Sequence, residues 1–325
     1  MVNDLPMYPI YQFVIIAFVV VGVVRLLKWK GIFSDCDQPV FDKIVTELAV
    51  PAVIFSIFAT SDFSPDTLLP ALLLFATLIV ALIVAYVICR ILRFGPKLTG
   101  TIVMLSAFGS TATMASPLLM EIYRAQPDVL ATGLTIGTLG VAFPFFSLGV
   151  IIASWFGAKA AGEAVGIGQT LKEFLVTPIF ISFIAGTAVT LVLTYFQLPG
   201  SDIFIDIFTH FFTIINLSLN LLIWIAIGLM IRPIGWKYFV PLFVLVVAIK
   251  LLLSPLLAIF FAASAGVPLV IQQALLLESA VPSGAIAAVL ASRYGLDRSL
   301  AGWMVVGTYL ISLVTIPLVF ILTPV

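Results

Sequence analysis

Charged side chains are scarce in this sequence. Only 9% of the 325 residues are Asp, Glu, Lys or Arg, whereas 62% are hydrophobic, and soluble domains carry roughly a quarter charged residues. One histidine, His210, and two cysteines, Cys36 and Cys89, are too few for a typical zinc site or a disulfide framework. The formal net charge is zero, so nucleic acid is not an expected partner. The composition predicts an integral membrane protein surrounded by the lipid bilayer.

Ten mostly apolar stretches are long enough to cross a bilayer, which takes about 20 residues in a helix. They are Tyr8–Trp29, Val40–Thr60, Leu68–Leu92, Gly100–Ile122, Leu130–Phe156, Thr170–Phe196, Ile203–Ile231, Trp236–Ala263, Leu269–Ser292 and Leu300–Leu322. The longest gap between them is the glycine-rich segment 157–169, which is typical of a linker. The sequence therefore predicts a first five-helix repeat in residues 1–156 and a second one in residues 170–325.

The basic residues between the spans indicate their direction. Counted over alternate connections, one side holds only Arg124 and the other holds Arg25, Lys28, Lys30, Lys43, Arg90, Arg93, Lys97, Lys159, Lys172, Arg232, Lys237, Arg293 and Arg298. Because basic connections stay in the cytoplasm, we expect both termini on the non-cytoplasmic side of the cell (inner) membrane. Five helices per half is an odd number, so the repeats must be inverted. The predicted fold is an all-α integral membrane protein of ten transmembrane helices in two inverted five-helix repeats.

Two membrane-deep segments in corresponding halves are rich in small residues and contain proline. They are 106–117, in the fourth span, and 278–285, in the ninth. The helix breaks are expected at Gly109, Pro117, Pro282 and Gly284. Backbone freed from a helix cannot face lipid, and paired breaks of this kind are typical of a transporter's binding site. If broken helices four and nine cross near the midplane, their half-helix N-termini favour an anion and their C-termini favour a cation.

Hydroxyl and amide side chains near these breaks are the candidates for substrate binding. On the fourth, ninth and seventh spans they are Ser110, Thr111, Thr113, Ser116, Ser279, Ser283, Asn216 and Asn220. For any one of them, packing or hydrogen bonding between helices is the alternative role. Asn216 and Asn220 lie one helical turn apart and so share a face, from which they could line the cavity.

Glu278 is the most informative ionisable residue, because it directly precedes the second break inside an apolar span. A carboxylate within a membrane helix costs about 2.5 kcal/mol or more, so a functional role is expected. It could ligate Na⁺ together with the hydroxyls of Ser110, Thr111, Thr132 and Thr135, or it could carry a proton. Lys250, near the middle of the eighth span, leaves two alternatives: a salt bridge between helices, or an ammonium that replaces the coupling cation. Apart from a coupling Na⁺ or H⁺, no cofactor is expected.

The motifs of the last two spans are Ser279-Ala280-Val281-Pro282-Ser283, Leu290-Ala291-Ser292-Arg293-Tyr294-Gly295-Leu296-Asp297 and Gly307-Thr308-Tyr309-Leu310-Ile311-Ser312-Leu313-Val314-Thr315-Ile316-Pro317. At these motifs the chain resembles the auxin efflux carrier family of organic anion transporters. In the first half, Gly109-Ser110 and Ala115-Ser116-Pro117-Leu118 hold the places of that family's Gly-Asn pair and Gly-x-Pro-Leu motif. The family's asparagine contacts substrate, and Ser110 replaces it here.

Glu278 directly before the break, and the run 109–113, are more similar to the related bile-acid sodium symporter family. In those proteins a glutamate at this place is a sodium ligand. Both families share a ten-helix inverted repeat with crossing broken helices in a mobile core domain. The resemblance implies that spans three to five and eight to ten form a core, which moves by an elevator mechanism against a scaffold of spans one, two, six and seven.

These features predict a secondary active transporter of a small carboxylate-bearing organic anion, with a homodimer as the candidate assembly. The alternative within transport is a sodium symporter of bile-acid-like amphipathic anions. A membrane-embedded enzyme would need a nucleophile with a base, or a metal, and a sensor would need a soluble output domain; neither is found in these residues, so we expect no enzyme. No Gly-x-x-x-x-Gly-Lys-Ser/Thr motif for ATP occurs, so an ion or substrate gradient is the expected energy source.

Overall fold

The computed structural model describes residues 7–60, 65–196 and 201–322. The regular elements in these residues are helices, as expected of long apolar runs whose backbone groups must be satisfied internally. In chain order they are α1 (Met7–Trp29), α2 (38–60), α3 (Pro65–Ile91), α4 (Pro96–Ala107), α5 (111–122), α6 (Pro127–Ala160), α7 (Ile167–Leu175), α8 (Pro178–Phe196), α9 (Ser201–Met230), α10 (Trp236–Ser264), α11 (Leu269–Ala280), α12 (Ala285–Arg293) and α13 (Arg298–Leu322).

Five of the described helices, α1, α3, α6, α10 and α13, are long and apolar enough to cross a membrane. The mean hydropathy of these five lies between 1.8 and 3.0. A sixth span is formed if α7 and α8, which are bent by 57° from each other, cross together. Large aliphatic side chains such as Ile15, Leu72 and Val244 stay exposed on these helices, which suits a surface that faces lipid. The all-helical, multi-pass membrane protein predicted from the composition is therefore confirmed.

The predicted sixth span, 170–196, is bent rather than straight. α7 ends at Leu175, and α8 begins at Pro178, since proline at a first helical position favours a new start. The Thr177 hydroxyl accepts a hydrogen bond from Phe180 N–H at 3.3 Å, as an N-cap does. The predicted linker, 157–169, is also shorter in the structure, because α6 runs on to residue 160 and α7 starts at residue 167.

Wide π-turns precede four of the prolines inside these helices. Pro51 follows Ile44–Ala49, Pro117 follows Thr111–Ala115, Pro144 follows Thr138–Ala142, and Pro255 follows Ala248–Leu253. A proline lacks an N–H and clashes with the carbonyl four residues earlier. In a π-turn the bonding shifts to the fifth residue, which gives the ring room. Helical backbone therefore runs through these prolines, including Pro117.

Basic side chains satisfy open carbonyl groups just beyond α9. Arg25 Nη1 donates to Ile231 O at 2.7 Å, so a cation from α1 lies at the negative end of α9. In the loop after α1, Asp35 pairs with Lys28 at 2.5 Å and with Arg232 at 2.8 Å. The hydrogen bond from Lys28 holds the pKa of the Asp35 carboxyl below its usual range. These contacts tie α1, α9 and the loop between α1 and α2 together.

Candidate functional site

The two interruptions in the helices meet each other deep in the protein. Residues 108–110 separate α4 from α5, and residues 281–284 separate α11 from α12. Gly109 and Ser283 form an isolated antiparallel β-bridge. The predicted contact between the two broken segments is therefore present, and we call this bridge and its flanking residues the crossing.

Two main-chain hydrogen bonds complete the crossing. Ser110 N–H donates to Pro282 O at 3.0 Å, and Gly284 N–H donates to Phe108 O at 2.8 Å. Backbone groups that the broken helices leave open are thus paired with each other, as burial in an apolar protein requires. A Cβ added at Gly284 would lie 3.0 Å from the carbonyl oxygen of Gly109. Glycine at this position permits the close approach of the two backbones.

Both interruptions are shorter than the predicted segments, 106–117 and 278–285. α5 begins before Pro117, which the π-turn accommodates, and α11 continues past Glu278. Glu278 therefore lies in the last turn of a helix, so its position is set by helical geometry.

The starts of α5 and α12 border a common cavity at the crossing. Its volume is about 30 Å³, and its lining consists of Gly109, Ser110, Thr111, Ala112, Thr113, Val141, Ala142, Phe145, Phe146, Gly284, Ala285, Ile286 and Ala287. The first N–H groups of a helix have no partner within it, and those of residues 111–113 and 285–287 have none elsewhere in the described chain. Two positive helix ends with free donors at one cavity favour a small anion.

Three hydroxyl groups form a buried network beside this cavity. Tyr309 Oη, from α13, lies 2.5 Å from Ser110 Oγ and 3.0 Å from Thr113 Oγ1, and these two hydroxyls also contact each other. The Tyr309 ring packs edge-on against Trp224 of α9, with centroids 4.9 Å apart. The Thr111 hydroxyl is buried and interacts with the carboxylate of Glu278.

The serines of the second interruption hold the backbone in place. Ser283 Oγ donates to Leu105 O at 2.7 Å, and Ser283 N–H donates to the Thr308 hydroxyl at 3.2 Å. Ser279 Oγ donates to Leu276 O within its own helix at 2.9 Å. These bonds fix the backbone at the crossing, neither Ser279 nor Ser283 lines the crossing cavity, and their contact with a substrate stays a prediction.

Glu278 and Lys250 form a second polar centre next to the crossing. Lys250 is 3% exposed and Glu278 is 1% exposed, and both line a cavity of about 10 Å³, roughly the space of one water molecule. Lys250 Nζ donates to Ser279 O, in the last turn of α11, at 2.9 Å. Neither carboxylate oxygen of Glu278 meets the geometry of a full hydrogen bond in the described residues, and the polar groups that interact with the carboxylate are the Thr111 hydroxyl and the Lys250 ammonium. The two side chains share a cavity, but no ion pair within 4.0 Å joins them there.

Two glycines make room for these charged groups. A Cβ added at Gly109 would lie 2.8 Å from Lys250 Nζ, and a Cβ added at Gly137 would lie 2.7 Å from Glu278 Cδ. The ammonium thus packs on the backbone of the crossing, and the carboxylate packs on the backbone of α6.

Of the hydroxyls predicted to complete a Na⁺ site, that of Thr111 interacts with the Glu278 carboxylate, and the site itself stays a prediction. The Thr132 hydroxyl donates to Asp128 O, one turn away, at 2.8 Å, and neither Thr132 nor Thr135 lines the cavity at Glu278. The Lys250 ammonium does line it, so a bound Na⁺ would lie beside another cation. Across the described residues there is no cluster of three His, Cys, Asp or Glu side chains that could hold a metal ion.

The remaining predicted substrate residues are not brought to the crossing cavity. Asn220 is half-buried on α9 and Ser116 is half-buried on α5, and neither belongs to the lining. The side chain of Asn216 lies outside the described residues. The sequence reasoning did not single out Tyr309, Trp224 or Gly137; the one available signal was that Tyr309 lies inside the last C-terminal motif.

A polar centre made by interrupted helices, inside an otherwise apolar multi-pass protein, defines the class of membrane transport proteins. The profile of the family described as membrane transport protein matches residues 6–320, so the chain belongs to this family. The resemblance to the auxin efflux carriers is thereby confirmed.

Two relatives are similar to this chain over nearly their whole lengths. An uncharacterized transporter of Methanothermobacter thermautotrophicus is 24% identical over 301 residues, which cover 90% of this chain and 91% of the relative. An uncharacterized transporter of Methanocaldococcus jannaschii is 24% identical over 310 residues, which cover 94% and 96% of the two chains. Their names agree with the transporter class and indicate no substrate.

Proposed function

We propose that this protein is a secondary active transporter of a small carboxylate-bearing organic anion. The observation that carries the proposal is the crossing cavity, which is bordered by the free N–H groups at the starts of α5 and α12. A carboxylate in this cavity would accept hydrogen bonds from backbone donors at two positive helix ends.

The size of the cavity supports a small anion rather than a bile-acid-like amphipath. The crossing cavity measures about 30 Å³, and the neighbouring apolar pocket that shares Phe146 with it measures about 70 Å³. Sites for drug-sized ligands are typically about 300–1,000 Å³. A carboxylate with a few carbon atoms is the class of ligand that suits this space.

In this proposal the chain crosses the membrane ten times as two inverted repeats, 1–156 and 170–325. The interrupted pairs α4–α5 and α11–α12 occupy matching places in the two halves, which supports the repeat. α3 to α6 and α10 to α13 form the core, and α1, α2 and α7 to α9 form the scaffold. An elevator movement of the core would then carry the crossing cavity from one side of the membrane to the other.

Coupling in this proposal runs through Lys250 and Glu278 rather than through bound Na⁺. The Lys250 ammonium lies at the negative end of α11 and shares the cavity with Glu278, so it takes the place that a coupling cation would need. Transport should then be independent of Na⁺. A proton that binds to or leaves this pair supplies the link to a gradient, so transport should follow pH.

The test of the proposal is a ligand-induced thermal shift of the purified protein. A panel of small carboxylates, together with a bile-acid-like amphipath, is added with and without Na⁺. A ligand at one hundred times its Kd stabilises the folded state by about 2.7 kcal/mol, so a binding carboxylate gives a clear rise in melting temperature. A shift with the amphipath alone, or none with any carboxylate, would refute the proposed substrate class.

Ala112→Leu should abolish this shift. Ala112 lines the crossing cavity, whose volume is about 30 Å³. The three carbon atoms that leucine adds would occupy this space. The matched control is Ala188→Leu, which adds the same atoms to an exposed position on α8 and should keep the wild-type shift. Equal shifts in both variants would place the ligand outside the crossing cavity.

The proposed topology makes a separate prediction. The excess of Lys and Arg in one set of connections supports the proposal that both termini lie outside the cytoplasm. A reporter that is active only in the periplasm should therefore be active when fused after Val325, and a cytoplasmic reporter should be inactive. The reverse result would defeat the ten-span arrangement while leaving the crossing cavity intact.

A further inference from the structure

α2 is joined to the connection between α12 and α13 by a network of polar side chains. Asp42 Oδ2 accepts hydrogen bonds from Ser292 Oγ at 2.7 Å and from Gln38 Nε2 at 3.1 Å. Gln38 Oε1 accepts a hydrogen bond from Arg298 Nη1 at 3.0 Å. Gln38 and Asp42 belong to α2, whereas Ser292 and Arg298 belong to α12 and α13. We call these four residues the latch.

The latch contains a buried charge that is only partly satisfied. Asp42 is 3% exposed, and its Oδ1 atom has no hydrogen-bond partner among the described residues. Burying a carboxylate in this state is unfavourable compared with leaving it in water. The hydrogen bonds of the latch therefore favour contact of the two elements, while the hydration of Asp42 favours their separation.

A polar cleft lies beside the latch and is lined from both sides of it. The cleft measures about 490 Å³, and among its lining residues are Lys43 from α2, Lys97 from α4 and Ser292 from α12. Separation of α2 from α12 would extend this cleft and expose Asp42 to water. The contact between α2 and α12 therefore has the polar character of an interface that can open to water.

α12 connects the latch to the crossing cavity. Its first residues, 285–287, border the cavity, and Ser292 near its other end belongs to the latch. The helix has nine residues, and seven residues of α-helix span about 10 Å. Residues 285–291 are all buried, so the helix is held along its length. A shift of its start, caused by a ligand in the cavity, would move the latch residue at its end.

We propose that Gln38, Asp42, Ser292 and Arg298 act as a latch that holds α12 and α13 against α2 and closes this face of the protein. The latch rests on the proposed function, because it lies between the elements assigned there to the core and to the scaffold. Opening breaks the three side-chain hydrogen bonds that join those elements, Ser292–Asp42, Arg298–Gln38 and Gln38–Ser292, and hydrates Asp42. The four residues thereby set the equilibrium between closed and open states without contacting the substrate.

The test is a distance measurement between two spin labels in the ligand-free protein. One label is attached to the exposed Cys36. The neighbouring residue, Asp35, forms ion pairs with Lys28 of α1 and with Arg232 just after α9, which hold this loop on the scaffold. The other is attached to Lys97→Cys, at the start of α4. Cys89 is buried and serves as the unlabelled cysteine. Asp42→Ala should raise the ratio of open to closed molecules roughly tenfold, since it removes the acceptor of the Ser292 hydrogen bond between α12 and α2 and of the bond that orients Gln38 within α2.

Two further variants separate the latch from unspecific effects. Asp42→Asn keeps an acceptor oxygen for Ser292 and Gln38 and removes the buried charge, so it should stay closed. Glu47→Gln breaks the ion pair between Glu47 and Arg293, which is exposed and so contributes little; its distances should match the wild type.

Unchanged distances in Asp42→Ala would overturn the latch, and so would equal opening in Asp42→Ala and Asp42→Asn. The carboxylate thermal shift is measured on the same variants. If the latch distances fail while the carboxylate shift is present, the proposed function stands. If the wild type shows no carboxylate shift, the result counts against the proposed function and not against the latch distances.

Discussion

Lys250→Met is expected to lower the free energy of unfolding by about 3–5 kcal/mol, because the buried Glu278 carboxylate, which attracts Lys250 across their shared cavity although no ion pair within 4.0 Å joins them, would be left uncompensated. Glu278→Gln should be destabilising for the same reason, since the Lys250 ammonium is fully enclosed. The double variant removes both charges and should recover most of the loss. Chemical denaturation of the purified proteins, read as a double-mutant cycle, measures the coupling.

The control for this cycle is Lys237→Met, which changes the same atoms at an exposed position and should alter stability by less than about 0.5 kcal/mol. Added Na⁺ gives a second readout. It should stabilise Lys250→Met, whose carboxylate has lost its internal cation, and should leave the wild type unchanged. Single losses that simply add in the double variant would show that the two charges do not interact, and the coupling proposal would then be abandoned.

Gly137→Ala should destabilise the protein by about 1–3 kcal/mol, the usual cost of overpacking a buried site. Its new Cβ would lie 2.7 Å from Glu278 Cδ, so the carboxylate must leave its position on α6. Gly133→Ala is the matched control, one turn earlier on the same helix. Its Cβ would lie 3.4 Å from the nearest atoms, in the Leu119 side chain, which is an ordinary contact.

Both alanine variants gain the same helix propensity, so the difference between them reports the contact with Glu278 alone. Melting temperature and transport in vesicles should both fall in Gly137→Ala and should be unchanged or raised in Gly133→Ala. If the two variants behave alike, the position of Glu278 on α6 has no consequence for stability or transport.

Much of the helical layout could be predicted because each span is an apolar run of roughly the length that a bilayer demands. The meeting of the two interruptions could also be predicted, since glycine, serine and proline occur together in corresponding halves. The ends of these interruptions could not. Pro117 remains inside α5 because a π-turn precedes it, and no residue pattern in the sequence announces such a turn.

The charged centre shows a second limit of the sequence. An isolated Glu278 and an isolated Lys250 in apolar spans suggest a salt bridge, yet the ammonium donates to the carbonyl of Ser279. This choice depends on how closely the side chain packs on Gly109, a distance that only the assembled fold determines. The contact of Tyr309 with Ser110 could not be predicted for a similar reason, because the two hydroxyls meet only when α13 packs against the crossing.

The crossing is held by main-chain atoms: the two hydrogen bonds at its centre join backbone N–H and C=O groups of segments 108–110 and 281–284. The joint itself depends on Gly284 and on the Ser283 hydroxyl, and its two central bonds use no side chain of residues 111–113 or 285–287. Under the proposed function, point substitutions at those residues would alter the ligand while the frame persists. The fold and the substrate could then evolve separately, because a few point mutations would change the substrate and leave the fold as it is.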